Sequence, residues 1–140
     1  MIIFCDVSII DIKNQGKNFK WKRPTCSTCK SKTWGHGFVF RFFNGLAKAI
    51  YIKRWICPCC KKVFTCRPNY YWQRYQESVS NIFEYLLYRV KHQKWPPEVS
   101  RQRGGHWLSK LIKNAKINLL IKETMLDTII FYKNKNLSFN

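Results

Sequence analysis

The apolar positions of this chain change period part way along it. Residues 38–43 (FVFRFF) and 46–56 (LAKAIYIKRWI) are rich in β-branched and aromatic side chains. They read as two strands, and Asn44-Gly45 between them is a strong short-hairpin signal. A further short strand is expected through Val63 and Phe64. Beyond Pro68-Asn69 the spacing shifts to three and four: Val79, Ile82, Phe83, Leu86, Leu87 and Val90 form one stripe of an amphipathic helix. That helix is expected from Asn69, as its cap, to about His92, with Glu77, Asn81, Glu84 and Lys91 on its wet side and Trp95-Pro96-Pro97 as its stop. Ser100 can cap a second helix to about Asn114, packing through Leu108, Leu111, Ile112 and Ala115. Gly104-Gly105 weakens it by about 1 kcal/mol per glycine, which leaves open a start at His106 after a basic loop. Residues 116–140 permit a third helix through Ile117, Leu120, Ile121, Leu126, Ile129 and Ile130, or a short strand over Thr128 to Tyr132, with the last eight residues frayed. The expected organisation is a β-rich unit over 1–68, a helical module over 69–115 and a tail over 116–140.

Two C-x-x-C pairs, Cys26/Cys29 and Cys57/Cys60, with 27 residues between them, fall at the two ends of the expected hairpin. Four thiolates on two tight turns suit the tetrahedral, sulfur-favouring geometry of a single structural zinc ion. A hairpin joining two such turns is a zinc ribbon, in which the metal replaces part of a core. Lys30 and Lys61 stand where a metal turn usually carries glycine, because the backbone there tends to positive φ. Cys59 could stand in for Cys60, but the resulting C-x-C is a poorer match to the first pair. Cys5 and Cys66 read as ordinary buried thiols. His36, in Trp34-Gly35-His36-Gly37, is better explained by a tight backbone path than as a fifth ligand.

Charge narrows the partner. The chain has 140 residues, with 26 Lys and Arg against 7 Asp and Glu, a net charge of +19. Residues 1–70 hold 14 basic and 2 acidic residues and 71–140 hold 12 and 5, so both halves are basic. A field of this kind favours a phosphate backbone through counterion release. DNA is the expected partner and RNA the alternative. The basic residues do not collect on one face of a long amphipathic helix, and no uncharged apolar run approaches the roughly 20 residues needed to cross a bilayer, so no membrane partner is expected. An odd number of cysteines and an N-terminus without a basic segment ahead of its apolar residues point to a reducing, cytoplasmic setting, nucleoid-associated in a bacterium.

Arg103, His106, Lys110 and Lys113 recur at helical spacing on the second helix, and Arg101 and Gln102 lie in its first turn. Recognition helices present base-reading side chains there. Arg101, Gln102, Arg103 and His106 are therefore expected to approach base edges. Lys20, Lys22, Arg23, Lys30, Lys32, Lys53, Arg54, Lys61 and Lys62 are expected to hold phosphates, with Lys110 and Lys113 continuing the basic face. Trp34, Phe38, Phe40, Phe42, Tyr51 and Trp55 could stack on unpaired bases, although core packing explains most such residues in a small ribbon.

The order C-x-x-C, Trp-Gly-His-Gly, hairpin, then Arg54 to Thr65 (RWICPCCKKVFT), Arg-Pro and a helical segment resembles the zinc ribbon and helix-turn-helix region of bacterial insertion-sequence transposases and their small accessory proteins. The resemblance covers about residues 20–113. It implies zinc ligation by Cys26, Cys29, Cys57 and Cys60 and DNA contact from Arg101 through Lys113. The chain departs from the family at Lys61, where the family has glycine, and beyond residue 115.

The fold class expected is thus α+β: an N-terminal zinc ribbon, a β-hairpin with a four-cysteine zinc site, followed by a small helix-turn-helix-like bundle. The carboxylates Asp6, Asp11, Glu77, Glu84, Glu98, Glu123 and Asp127 are scattered, whereas two-metal phosphoryl transfer needs a cluster. Gly104-Gly105 lacks the spacing of a nucleotide-binding loop. The expectation is a non-catalytic accessory or regulatory protein of a mobile element, with a transposase or a second copy of the chain as candidate protein partners. The alternatives are a zinc-dependent RNA-binding or ribosome-associated protein and a module docking a transposase or polymerase subunit.

Overall fold

The structure is a computed structural model and describes residues 1–139. It is α+β, with a four-stranded sheet and four α-helices. The chain divides into two compact units, Met1–Tyr71 and a second beginning at Trp72.

The first unit carries the sheet: β1 (Ile2–Cys5), β2 (Trp34–Arg41), β3 (Ile50–Ile56) and β4 (Val63–Pro68), in the order β1-β4-β3-β2. The β2–β3 and β3–β4 pairs are antiparallel, and β1 runs parallel to β4 with Ile2 opposite Thr65 and Cys5 opposite Pro68. A short helix, α1 (Ile9–Gln15), capped by the Ser8 hydroxyl, which accepts from the Asp11 N–H at 3.4 Å, sends Ile12 into the core. That core gathers Ile12, Phe43, Ile50, Ile52, Trp55, Phe64 and Tyr71 together with Cys26 and Cys57.

The hairpin is present but its turn is not the two-residue one expected. Residues 42–49 join β2 to β3. Asn44-Gly45 do occupy a turn, closed by the Leu46 N–H on the Phe43 carbonyl at 3.2 Å with Gly45 at φ 90°. Phe43, however, is buried against Tyr71 at 4.7 Å, and that anchor draws the chain out of the ladder before the turn begins. β2 also starts earlier than expected, at Trp34. The register slips by one residue between Gly35 and Phe38, and Gly37 at φ 74° supplies the positive φ that such a bulge needs. His36 lies exposed in this bulge.

The second unit packs α2 (Val79–His92), α3 (Arg101–Ile117) and α4 (Met125–Asn134) around Ile82, Phe83, Leu86, Trp107, Leu111, Ala115, Ile129 and Tyr132. The first helix of this unit begins nine residues later than predicted, with its cap at Ser78 in place of Asn69. The Asn69 N–H donates to the Cys5 carbonyl at 2.9 Å, which extends the β1–β4 ladder, and Ser78 is the cap instead, accepting from the Asn81 N–H at 3.3 Å. Glu77, expected on the wet side, is buried: its carboxylate accepts from the Asn81 side-chain amide at 2.8 Å and the Ser78 N–H at 3.3 Å, so it acts within the capping arrangement.

α3 starts at Arg101 with Ser100 as cap, and both glycines lie inside it. Gly104 faces the Trp95 ring, where even a methyl group would come within 2.5 Å of ring carbons. Glycine is kept there by packing, against its poor helix propensity.

The tail is structured. Residues 118–124 turn, and Thr124 caps α4 in a reciprocal arrangement with Asp127: its hydroxyl accepts from the Asp127 N–H at 3.0 Å and donates to the Asp127 carboxylate at 2.8 Å. The Tyr132 hydroxyl donates to Asn114 Oδ1 at 2.7 Å, tying α4 to α3. The expected fraying of the last eight residues does not occur in the described ones. Asn136 takes a left-handed turn at φ 50°, the Leu137 N–H returns to the Tyr132 carbonyl at 3.0 Å, and Phe139 is buried against Trp72 at 4.7 Å and Phe83 at 6.0 Å. Of the third-helix positions, Ile129 is buried, Leu126 half-buried and Ile117, Ile121 and Ile130 exposed. No helix among the described residues is long and apolar enough to cross a membrane.

Candidate metal centre

The two C-x-x-C segments fold into matching backbone turns. In the first, the Cys26 N–H donates to the Ser31 carbonyl at 2.9 Å and the Lys30 N–H to the Cys26 carbonyl at 2.9 Å. In the second, the Cys57 N–H donates to the Lys62 carbonyl at 2.9 Å and the Lys61 N–H to the Cys57 carbonyl at 3.0 Å. Lys30 and Lys61 sit at φ 56° and 60°. The lysines therefore adopt the left-handed backbone that the turn requires, at a cost of about 1 kcal/mol or more for a side chain with a Cβ. Lys30→Gly and Lys61→Gly are each expected to raise stability by roughly 1 kcal/mol in urea unfolding of metal-loaded protein, less a part lost to the greater freedom of the unfolded chain. A loss of more than about 1 kcal/mol in either variant, beyond what the greater freedom of the unfolded chain accounts for, would mean that the lysine side chain itself holds the turn.

These turns bring four sulfurs together. The Sγ atoms of Cys26, Cys29, Cys57 and Cys60 all lie within 4.8 Å of one another, close enough to hold one metal ion, and Cys26 Sγ stands 3.6 Å from Cys60 Sγ. Sulfurs on one tetrahedral ion at bonds of about 2.3 Å would be spaced about 3.8 Å. Cys26 and Cys57 are fully buried, while Cys29 and Cys60 are half-buried on the outer side. The remaining cysteines stand outside the cluster. Cys59 is exposed, which answers the choice between it and Cys60, and His36 is not among the grouped ligands. Cys5 and Cys66 belong to the sheet core, where a hydrogen bond from Cys66 lowers the Cys5 thiol to about 7.

The surroundings favour thiolate on the buried side of the cluster. The Ser31 hydroxyl lies 3.2 Å from Cys57 Sγ and, as the largest influence, brings that thiol down to about 6. The Cys29 N–H lies 3.4 Å from Cys26 Sγ and lowers it likewise. Cys29 is pushed up instead, first by its neighbour Cys60 and then by Cys59, because adjacent sulfurs cannot all shed protons without a compensating cation. Ser31 and the Lys62 ammonium, which donates to Thr28 Oγ1 at 2.9 Å and so links the two turns, are site residues that spacing along the chain does not reveal. Each acts across the cluster, and only folding makes them neighbours.

Lys30, Lys32, Lys61 and Lys62 are carried on the turns themselves and are exposed, as are Lys20, Lys22 and Arg23. Lys53 and Arg54 are half-buried: the Lys53 ammonium lies over the Phe38 ring at 4.4 Å, and Arg54 Nε is buried without a hydrogen-bond partner. In the helical unit Arg101, Gln102, His106, Lys110 and Lys113 are exposed on α3. Arg103 departs from its expected outward course. Its guanidinium lies over Trp107 at 5.3 Å and donates to the Glu98 carbonyl at 3.0 Å, so it packs the α3 entry. Compared with protein-family models, curated proteins and solved structures, the chain matches none.

Proposed function

We propose that this chain is a non-catalytic DNA-binding protein, an accessory or regulatory factor of a mobile element. In this reading Cys26, Cys29, Cys57 and Cys60 hold one structural zinc ion in a zinc ribbon, and α3 of the helical unit meets the duplex. The observation that carries it is a closed set of four sulfurs on two matched turns, within a chain of net charge +19. Four thiolates select zinc over hard cations and fill its coordination, which suits a folding role and leaves no position for substrate. The charge favours a phosphate backbone, and the sequence resemblance to insertion-sequence transposase regions supports the mobile-element setting.

The division of labour on α3 follows from exposure. Lys110 and Lys113 would hold phosphates, and Arg101, Gln102 and His106 would approach base edges. Lys110→Ala with Lys113→Ala is expected to weaken all duplexes alike and to reduce the slope of log affinity against log salt by about 2. Gln102→Ala is expected to change the ranking of sequences while keeping that slope. Duplex binding by anisotropy over a salt series, on a pool of random sites, measures both. An unchanged slope in the double variant would remove α3 from the interface.

A further inference from the structure

The sheet of the first unit has a face whose character changes across its width. Along β3, buried Ile50 and Ile52 alternate with half-buried Tyr51 and Lys53. Cross-strand partners share a face, so Phe38 opposite Lys53 and Phe40 opposite Tyr51 belong with the second set. Toward β4 this face is closed, with Trp55 and its partner Phe64 both buried. Toward β2, the sheet edge, it opens: Phe40 is 56 % exposed.

The open part is an ordered run of rings and cations. Phe40 and Tyr51 have ring centroids 4.3 Å apart, and Tyr51 and Phe38 5.9 Å. The Lys53 ammonium lies 4.4 Å from the Phe38 centroid and 5.4 Å from that of Trp55, and Lys17 lies 4.9 Å from that of Tyr51. The lysines are thus held against the rings, while Phe40 keeps much of its surface to solvent. An exposed ring flanked by two ammoniums on a strongly basic chain disfavours cationic partners and suits one that is both flat and anionic. An unpaired nucleic-acid strand supplies both needed features: flat bases to stack and phosphates to meet the ammoniums. A duplex buries its base faces and cannot use the ring.

We infer that the β2–β3 face is a stacking platform for an unpaired nucleic-acid strand, with Phe40 as the base-contacting ring and Lys17 and Lys53 as phosphate contacts. This rests on nucleic acid being the partner but uses none of the α3 residues assigned to duplex binding. The test is anisotropy binding of an oligothymidine of about 12 nucleotides, and of a duplex, to the full chain and to Phe40→Ala, Phe40→Leu and Phe40→Trp. Phe40→Ala and Phe40→Leu are expected to lose roughly tenfold in single-strand affinity and nothing on the duplex. Phe40→Trp is expected to retain affinity, with its added emission quenched by the strand. Wild-type affinity in Phe40→Leu, or equal losses on strand and duplex, would overturn the platform. Absence of binding to either nucleic acid would overturn both this inference and the DNA-binding reading, whereas normal duplex binding with no effect of Phe40 would overturn this inference alone.

Discussion

Cys57→Ser is expected to abolish cooperative melting of the sheet unit, with the helical far-UV signal of the second unit retained. Cys57 is fully buried, belongs to the same core as Ile52, Trp55 and Phe64, and begins its turn directly after β3. Serine offers no thiolate, leaves three ligands and places an unmatched hydroxyl among apolar groups. Metal binding in a site that forms only on folding contributes directly to folding free energy, on the order of 10 kcal/mol in small zinc peptides. That rivals the whole stability of a domain, about 5–15 kcal/mol. The sheet has an apolar core of its own, so residual strand structure is expected to persist without a sharp transition. Cys60→Ser should behave in the same way and Cys59→Ser should melt as the wild type does, because Cys59 is exposed and outside the cluster. Tryptophan emission during heating reports Trp21, Trp34 and Trp55 of the sheet unit together with Trp72, Trp95 and Trp107 of the helical unit, and the helical far-UV signal followed in parallel separates the two. A cooperative, unshifted transition in Cys57→Ser would show that the apolar core alone holds the sheet.

The two adjacent glycines of α3 should respond in opposite directions to the same substitution. Gly105→Ala meets nothing within 4 Å and gains helix propensity, so it is expected to stabilise the helical unit by about 1 kcal/mol. Gly104→Ala places its methyl 2.5 to 2.6 Å from three carbons of the Trp95 ring. A rigid ring cannot yield as the end of a flexible chain can, so Trp95 must move, and with it the Arg89 guanidinium 5.8 Å from its centroid. Overpacking of this kind costs typically 1–3 kcal/mol, which exceeds the propensity gain. The expected net loss is about 1–2 kcal/mol, read by urea unfolding at constant m-value. If both alanines stabilise, α3 does not pack against Trp95 as described.

This glycine pair shows why part of the fold could be read from the chain and part could not. Propensity counts both glycines against the helix, and only the position of Trp95, nine residues away from Gly104, explains why one is needed. The stripe from Val79 to Val90 was legible because helical periodicity is local. Its start was not, since Asn69 and Ser78 are both good caps and the choice was made by the Cys5 carbonyl 64 residues earlier in the chain. The parallel strand β1 escaped for the same reason: pairing with β4 leaves no local mark in IIFC. The four-cysteine set was legible because C-x-x-C fixes each turn and one ion can join two. Lysine at positive φ looked like a departure from the pattern, yet Lys30 and Lys61 take the same backbone that glycine would. Among the basic residues, charge alone could not separate Arg103, which packs on Trp107 and donates to the Glu98 carbonyl, from Lys110 and Lys113, which face water.

The most direct test of the central claim is elemental analysis of the purified chain, prepared without added metal, coupled to duplex binding before and after chelation. One zinc per chain, with duplex binding lost on chelation and recovered on zinc return, is the predicted result. A chain that carries no zinc and binds duplex with the same affinity in chelator would contradict it.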